Sequence, residues 1–296
     1  MKPLDWLYIG PSHLSLNDLY HECRFVIEHA KYWQDKALGG VEILKATFVK
    51  QHFPRHVHEG YCVAVIEKGA QHFLRDGAEH TAPVGSIVLV NSDQVHTGRT
   101  ATEEGWSYRA IYPTPAELAP VIADIFGPGV EPWFPEPVVR DPQLARGLQV
   151  LHCLLEQGDE PLHCETLYYQ MMGQLMQRHA RMRPRQLLEK GGSHWAVAKV
   201  KEYLQAHYAD AVSLKDLTDC TGLSPSYLTR LFTRMTDMPP HAYLNQVRVS
   251  RAQQLLRMGL SLTDVAAATG FSDQSHLSRH FQRIMGVSPG RFAKVC

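Results

Sequence analysis

The sequence predicts an α+β chain in two parts: a small β-barrel or sandwich first, then an all-helical domain. Three observations predict this. Between Val41 and Pro113, short β-rich runs alternate with Gly, Pro and Asn/Asp turns at close spacing. From about Asp141 the apolar spacing changes to three and four residues, the period of helices. Within the last hundred or so residues, one pattern occurs twice. At 296 residues the chain suits two domains on a prior of roughly 150 residues each.

Residues 1–37 precede the β-rich texture and stand as an N-terminal extension of undetermined role; "NDLYHECRFVIEHAKYW" can be drawn as one amphipathic helix. The barrel is read in "VEILKATFV", "YCVAVIEKG", "QHFLRDG", "SIVLVN" and "SYRAIYP". Alternation along the last run turns Tyr108, Ala110 and Tyr112 to one face and Arg109 to the other. Arg109 would suit a carboxylate if it faced the cavity; an exposed ion pair is the plainer expectation. His56 and His58 stand two apart, on one face of a strand, and His96 falls on a later one.

Two helices follow. "DPQLARGLQVLHCLLEQ" carries Leu144, Leu148, Leu151 and Leu155, a seam over barely two heptads. "CETLYYQMMGQLMQRHARM" carries Leu167, Met171, Met172 and Leu175. Residues 183–193, "RPRQLLEKGGS", have the Pro and Gly-Gly of an interdomain linker. That leaves 38–182 for the barrel with its helices and 194–296 for the C-terminal domain.

In that domain, "SLKDLTDCTGLSPSYLTRLFTRMTDMPP" aligns with "SLTDVAAATGFSDQSHLSRHFQRIMGVSP". Ser213 meets Ser261, Asp216 meets Asp264 and Gly222 meets Gly270. The second copy then gains one residue, so that Arg230 meets Arg279 and Phe232 meets Phe281. Each copy opens at a Ser with an acidic residue three positions on, a capping box. Each short helix ends at a glycine that permits a left-handed turn. A second Ser, Ser224 or Ser272, caps a longer helix. Leu228, Leu231 and Phe232, then Leu277 and Phe281, pin that helix inward. Outward lie Ser226, Thr229, Arg230 and Arg234 in the first copy, and Gln274, Ser275, Ser278, Arg279 and Arg283 in the second. These side-chain types meet base edges and phosphates. Between the copies, "HAYLNQVRVSRAQQLLRM" reads as one long connecting helix. Two helix-turn-helix units on such a spacer could enter successive major grooves ~34 Å apart.

Charge agrees. Formal net charge is zero, with 30 basic and 30 acidic residues, but His194–Cys296 holds 12 Lys/Arg against 7 Asp/Glu. A basic domain on an acidic one points to an anionic partner for the former.

The repeat closely resembles the C-terminal signature of the AraC/XylS family of bacterial transcription regulators. The resemblance covers about the last hundred residues. It implies base-reading roles for Ser226, Thr229, Arg230, Gln274, Ser275, Ser278 and Arg279, with Arg234 as a further DNA contact, and structural roles for Gly270, Phe271, Phe281, Pro289 and Phe292. "RHVHEGYCVAVIEKG" and "APVGSIVLVNSDQVH" resemble the two halves of a cupin barrel motif. The resemblance thus implies a cupin-like effector barrel with a helical dimerisation segment. Implied partners are double-stranded promoter DNA, a small-molecule effector, RNA polymerase and a second copy of the chain.

The expected effector pocket is His56, His58, Tyr61, His96 and Tyr108, with the imidazoles hydrogen-bonding a polar ligand. Cupin metal sites add a Glu soon after the H-x-H pair, but Cys62 or Val63 stands there. No cofactor is therefore expected. A metal-sensing regulator using His56, His58 and His96 is the alternative, and a metal-dependent cupin enzyme with a DNA-binding tail a more distant one. No nucleophile elbow, P-loop or paired-carboxylate motif is present. The six cysteines form no C-x-x-C pair, which suits reduced thiols in a cytoplasmic protein. No run of 18 apolar residues suggests a membrane span.

Overall fold

A computed structural model describes residues 28–36, 38–127, 130–184 and 192–294. The first part is built on β1 (His29–Asp35), β2 (Val41–Phe48), β3 (Phe53–His56), β4 (Cys62–Arg75), β5 (Ala78–Pro83), β6 (Ile87–Val90), β7 (His96–Thr100) and β8 (Trp106–Tyr112). Their ladders are antiparallel, and the main path runs β1-β2-β8-β4-β6, ending on a short β10 (Val138–Val139).

The period of two sorts the side chains. On β2, β4 and β8 the even-numbered residues Leu44, Ala46, Cys62, Ala64, Tyr108 and Ala110 face inward. The odd-numbered Val41, Ile43, Val63, Val65 and Ile111 face the helices outside. Those helices are α1 (Pro115–Phe126), α2 (Pro142–Gln157) and α3 (Pro161–His179). A further pair, β9 (Val130–Trp133) with β11 (Arg181–Pro184), lies apart from the main sheet.

The barrel turns a corner on β4. Its first half pairs with β6 and β8, its second with β5 and β7. The ladder to β8 shifts register between Ile66 and Lys68, and Gly69 follows at φ 63°. A Cβ on Gly69 would collide with the Gly105 carbonyl oxygen. The corner therefore needs glycine for its backbone angle and for its close approach. "YCVAVIEKG" and "QHFLRDG", separate strands by sequence, form this single bent one.

The C-terminal part is helical: α4 (Ser193–Ala206), α5 (Leu214–Thr221), α6 (Pro225–Thr236), α7 (Pro240–Arg257), α8 (Leu262–Ala268), α9 (Gln274–Met285) and α10 (Pro289–Ala293). The first unit packs its own core of Leu217, Leu228, Leu231 and Phe232 with Val197, Val200 and Leu204 of α4. The second unit shares a continuous apolar cluster with the barrel interior.

Four expectations need correction. Residues 1–37 are not wholly an extension, since β1 pairs along its length with β2. The expected helix "NDLYHECRFVIEHAKYW" fails at His29–Trp33, which are strand; residues 17–27 lie outside the described residues. The linker opens later than 183, because Arg183 and Pro184 pair with β9, and it ends where α4 starts at Ser193. The Leu144, Leu148, Leu151 and Leu155 seam is buried against the chain's own sheet, so it is not free for a partner helix.

Candidate functional site

Two surfaces carry the chemistry: the outward faces of the two longer helix-turn-helix helices, and a cavity at the barrel mouth.

Ser213 caps α5 through a capping box with Asp216, and Gly222 closes it at φ 70° in the left-handed region. Ser261 also caps α8, its hydroxyl accepting from Asp264 N–H, but the reciprocal backbone bond of the expected capping box is not made there; Gly270 follows at φ 73°. The caps of the longer helices differ from expectation. Ser224 holds the N-cap position of α6 but makes no side-chain cap bond. In the second unit the cap is Asp273, not Ser272. The Asp273 carboxylate accepts from His276 N–H at 2.7 Å, and Ser272 Oγ donates to Asp273 at 3.1 Å. The residue inserted in the second copy has thus taken over the cap.

Ser226, Arg230 and Arg234 are exposed on α6, as are Gln274, Ser275 and Arg279 on α9; Thr229 and Ser278 are half-buried. Thr229 Oγ1 donates to the Pro225 carbonyl at 2.9 Å, so its lone pairs and methyl remain for a partner. Sequence reasoning missed Tyr227, an aromatic 43% exposed beside Ser226 and Arg230. A signal for it exists: it lies outside the apolar set Leu228, Leu231 and Phe232.

The cavity measures about 220 Å³. From the barrel it is lined by Tyr32, His56, His58, Cys62, His96, Tyr108 and Tyr112. From the helical domain it is lined by Gln246, Gln253 and Arg257 of α7 and by Ile284 and Met285 of α9. Burial pushes the Cys62 thiol up to about 12 and the Tyr108 and Tyr112 hydroxyls well above their usual range. All three are therefore neutral hydrogen-bonding groups at pH 7.

Direct bonds hold the helical domain over this mouth, through α4, α7, α9 and the turn after α6. Tyr32 Oη donates to Met285 O at 3.0 Å. Arg257 Nη1 pairs with Glu42 at 2.6 Å, and Lys201 Nζ with Asp93 at 2.7 Å. Ser250 Oγ donates to Glu59 at 3.1 Å, and Arg55 donates to Asp237 O at 2.7 Å.

His56, His58 and His96 come together at the cavity wall, with ring centroids 4.2, 4.9 and 5.1 Å apart. The β3–β7 ladder sets His56 opposite His96. His58 lies just past the end of β3 rather than within a strand. Burial drives His56 down to about 4, against hydrogen bonding to the Pro54 and His96 backbone. It drives His58 and His96 well below the usual imidazole range. At neutral pH the three rings carry no charge.

Tyr108 lines the cavity with these histidines, whereas Tyr61 does not. Tyr61 is buried on the opposite face, where its hydroxyl donates to Pro132 O at 3.1 Å and its ring meets Phe134 edge-on. An odd-numbered residue just before β4 points with Val63 and Val65 to the helical side. Arg109 also faces away from the cavity, but it is not exposed. Its side chain is 10% exposed and pairs with Glu67 and Glu156, each at 2.7 Å. Gln246, Gln253 and Arg257 are cavity residues the sequence did not announce, because part of the wall comes from the other domain; Glu42 of β2 is another.

A barrel with a polar cavity, roofed by a domain that presents two helix-turn-helix units, defines a ligand-binding DNA-binding regulator. Comparison with known proteins gives the family. Residues 38–172 match the AraC-like ligand binding domain and residues 217–294 match a helix-turn-helix domain. The HTH-type transcriptional regulator YbfI of Bacillus subtilis (strain 168) is 30% identical over 237 residues, covering 80% of this chain and 86% of that protein. The HTH-type transcriptional activator RhaS of Escherichia coli O81 (strain ED1a) is 27% identical over 254 residues, again covering 80% and 86%. ToxT from Vibrio cholerae O395 superposes with a TM-score of 0.56 at 12% identity, over 91% of this chain and 97% of that one. The chain belongs to the AraC family of transcriptional regulators.

Proposed function

We propose that this chain is a cytoplasmic transcription activator that reads promoter DNA with α6 and α9 and is controlled by a small molecule in the barrel cavity. The observation that carries the reading is the shared wall: α7 and α9 line the same cavity as the barrel. An occupant that touches both domains binds their arrangements unequally, and only such differential affinity shifts an equilibrium. At about 220 Å³ the cavity is below the roughly 300–1,000 Å³ of drug-sized sites, which favours a small polar effector of sugar or amino-acid size.

The DNA contacts proposed are Ser226, Thr229, Arg230 and Arg234, then Gln274, Ser275, Ser278 and Arg279. The effector contacts proposed are His56, His58, His96 and Tyr108. The activator named among the relatives supports activation through RNA polymerase. Homodimerisation would use the outward faces of α2 and α3, where Val150, Leu162 and Tyr169 are 47%, 74% and 49% exposed.

Selection of bound sequences from a random duplex pool tests the reading. The expected result is an asymmetric site of two unlike boxes about one helical turn apart, with occupancy changed by a ligand found in a thermal-shift screen. A pool with no enriched sequence would overturn it.

A further inference from the structure

We propose that the effector is a small organic cation, an ammonium compound held between the tyrosines of the barrel wall and the carboxylates at its mouth. This rests on the effector reading of the same cavity and adds to it the charge of the ligand.

The roof of the cavity follows a helical period. Tyr243, Gln246, Ser250, Gln253 and Arg257 recur at spacings of three and four along α7, so they share one face of it, and all five line the cavity. Alternate members are anchored to barrel carboxylates. Tyr243 Oη donates to Asp93 at 3.4 Å, Ser250 Oγ donates to Glu59 at 3.1 Å, and Arg257 pairs with Glu42 at 2.6 Å. Gln246 and Gln253 stand between these anchors, each 8% exposed. The Gln246 side-chain oxygen is buried and has no hydrogen-bond partner among the described residues. An unmet buried acceptor is costly, so this one calls for a donor from an occupant.

Charge decides which donor. Four carboxylates line the cavity, those of Glu42, Glu59, Asp93 and Glu117, against the one guanidinium of Arg257. Arg257 answers Glu42, and Lys201 of α4 answers Asp93. Glu59 and Glu117 meet no cation among the described residues. Ser250 donates to the first, and Thr114 donates to the second through its N–H at 2.7 Å and its hydroxyl at 2.9 Å. An occupant that closes the mouth takes water from these two carboxylates, and a charge removed from water needs a partner. A neutral occupant leaves them unanswered, and an anion adds repulsion. An ammonium group answers the charge and brings the N–H donors that carboxylates and Gln246 accept. Arg257 does not reverse this, since Glu42 neutralises it and its guanidinium lies over the Phe292 ring at 5.2 Å. Its Nε and Nη2, unbonded among the described residues, can serve a hydroxyl of the same ligand.

The barrel side is aromatic. Strand register sets Gln34, Glu42 and Tyr112 side by side on β1, β2 and β8. Tyr32 and Tyr108 belong to the same inner face and line the cavity with Tyr112. Phenol rings attract a cation through their π faces.

Matched compounds read the charge directly: phenethylamine, phenethyl alcohol and phenylacetate; putrescine, butanediol and succinate; ethanolamine, ethylene glycol and glycolate. Binding to the full-length protein is followed by thermal shift and calorimetric titration, with EDTA present to exclude metal cations. A cation of the panel should bind at least roughly tenfold tighter than its neutral and acidic partners, and its affinity should fall as salt rises. Glu59→Gln and Glu117→Gln keep an acceptor for Ser250 and Thr114 but remove the charge. Each should weaken the cation several-fold and leave the neutral partner's affinity as it was. Cation affinity unchanged in both variants would overturn the proposal. A neutral or acidic partner that binds as tightly as the cation would overturn it too, and would leave the effector reading standing. Absence of binding by every compound would sink the effector reading with it.

Discussion

At the scale of residues, few side chains decide each function. Arg279 is exposed on α9, and no ion pair of the described residues holds it back from DNA. Arg279→Ala is expected to cost about 1–3 kcal/mol of specific binding and to relax preference at one base pair, read by competition with single-substituted duplexes. Arg109 shows what the sequence can tell and what it cannot. Alternation places it opposite Tyr108 and Tyr112. That its face is covered by Glu156 and His152 of α2 is not legible, because those partners lie more than 40 positions away. The same network makes a pH prediction. His152 Nδ1 accepts from Arg109 at 2.9 Å and its Nε2–H donates to Leu44 O at 3.0 Å. Burial first, then Arg109, hold His152 down at about 4 from 6.5, against Leu44 and Glu156. A folded pKa below the unfolded one gives stability that is full above pH 6.5 and lost as pH falls through 4. Lys45, Glu67, Glu156 and the edge of Trp33 surround the same group. His152→Gln should therefore flatten the fall in melting temperature between pH 6.5 and 4 relative to wild type. Equal slopes would mean His152 does not titrate with folding.

At the scale of elements, the repeat is legible almost to the residue and the barrel less so. Helix starts and stops in the C-terminal part are written locally, in Ser213, Gly222, Ser261 and Gly270, so sequence spacing finds them. The cap of α9 falls one residue later than spacing suggests because Ser272 and Asp273 both cap well, and only the inserted residue chooses. Asp273→Ala is expected to cost about 0.5–2 kcal/mol, seen as a lower melting temperature, whereas Ser272→Ala should cost less. Strand β1 is hidden in the sequence because its partner β2 lies across a turn and its own residues, "HAKYWQD", also suit a helix. Its identity comes from pairing. The β4 corner is a second case: Gly69 looks like the end of one strand, yet it is the hinge within a long one. Gly69→Ala has to meet the Gly105 carbonyl at an unfavourable φ. It should destabilise the barrel by more than the ~1 kcal/mol of an ordinary glycine replacement, measured by denaturant unfolding.

At the scale of the whole molecule, the two domains share one cavity and several charged contacts. The His cluster is visible in the sequence; its roof is not, since spacing alone shows α7 only as a bridge between recognition helices. Arg257 is 12% exposed at its side chain, pairs with Glu42, and lies over the Phe292 ring at 5.2 Å. Glu42→Gln is expected to loosen the domains without unfolding either. Faster amide exchange along α7 and β2, with DNA affinity retained, would be the sign; unchanged exchange would place the hold elsewhere.

The double use of α7 has a consequence for protein engineering. Chimaeric regulators are commonly imagined as modular: transplant the sensor, keep the reader. Here a transplanted barrel would leave Gln246, Gln253 and Arg257 behind and acquire whatever the new host carries at those places. Selectivity for the inducer would be inherited in part from each parent. A graft whose junction falls after α7 rather than before it should keep more of the donor's inducer profile, with only Ile284 and Met285 of α9 left to the other parent, at the cost of separating the first recognition helix from its native second.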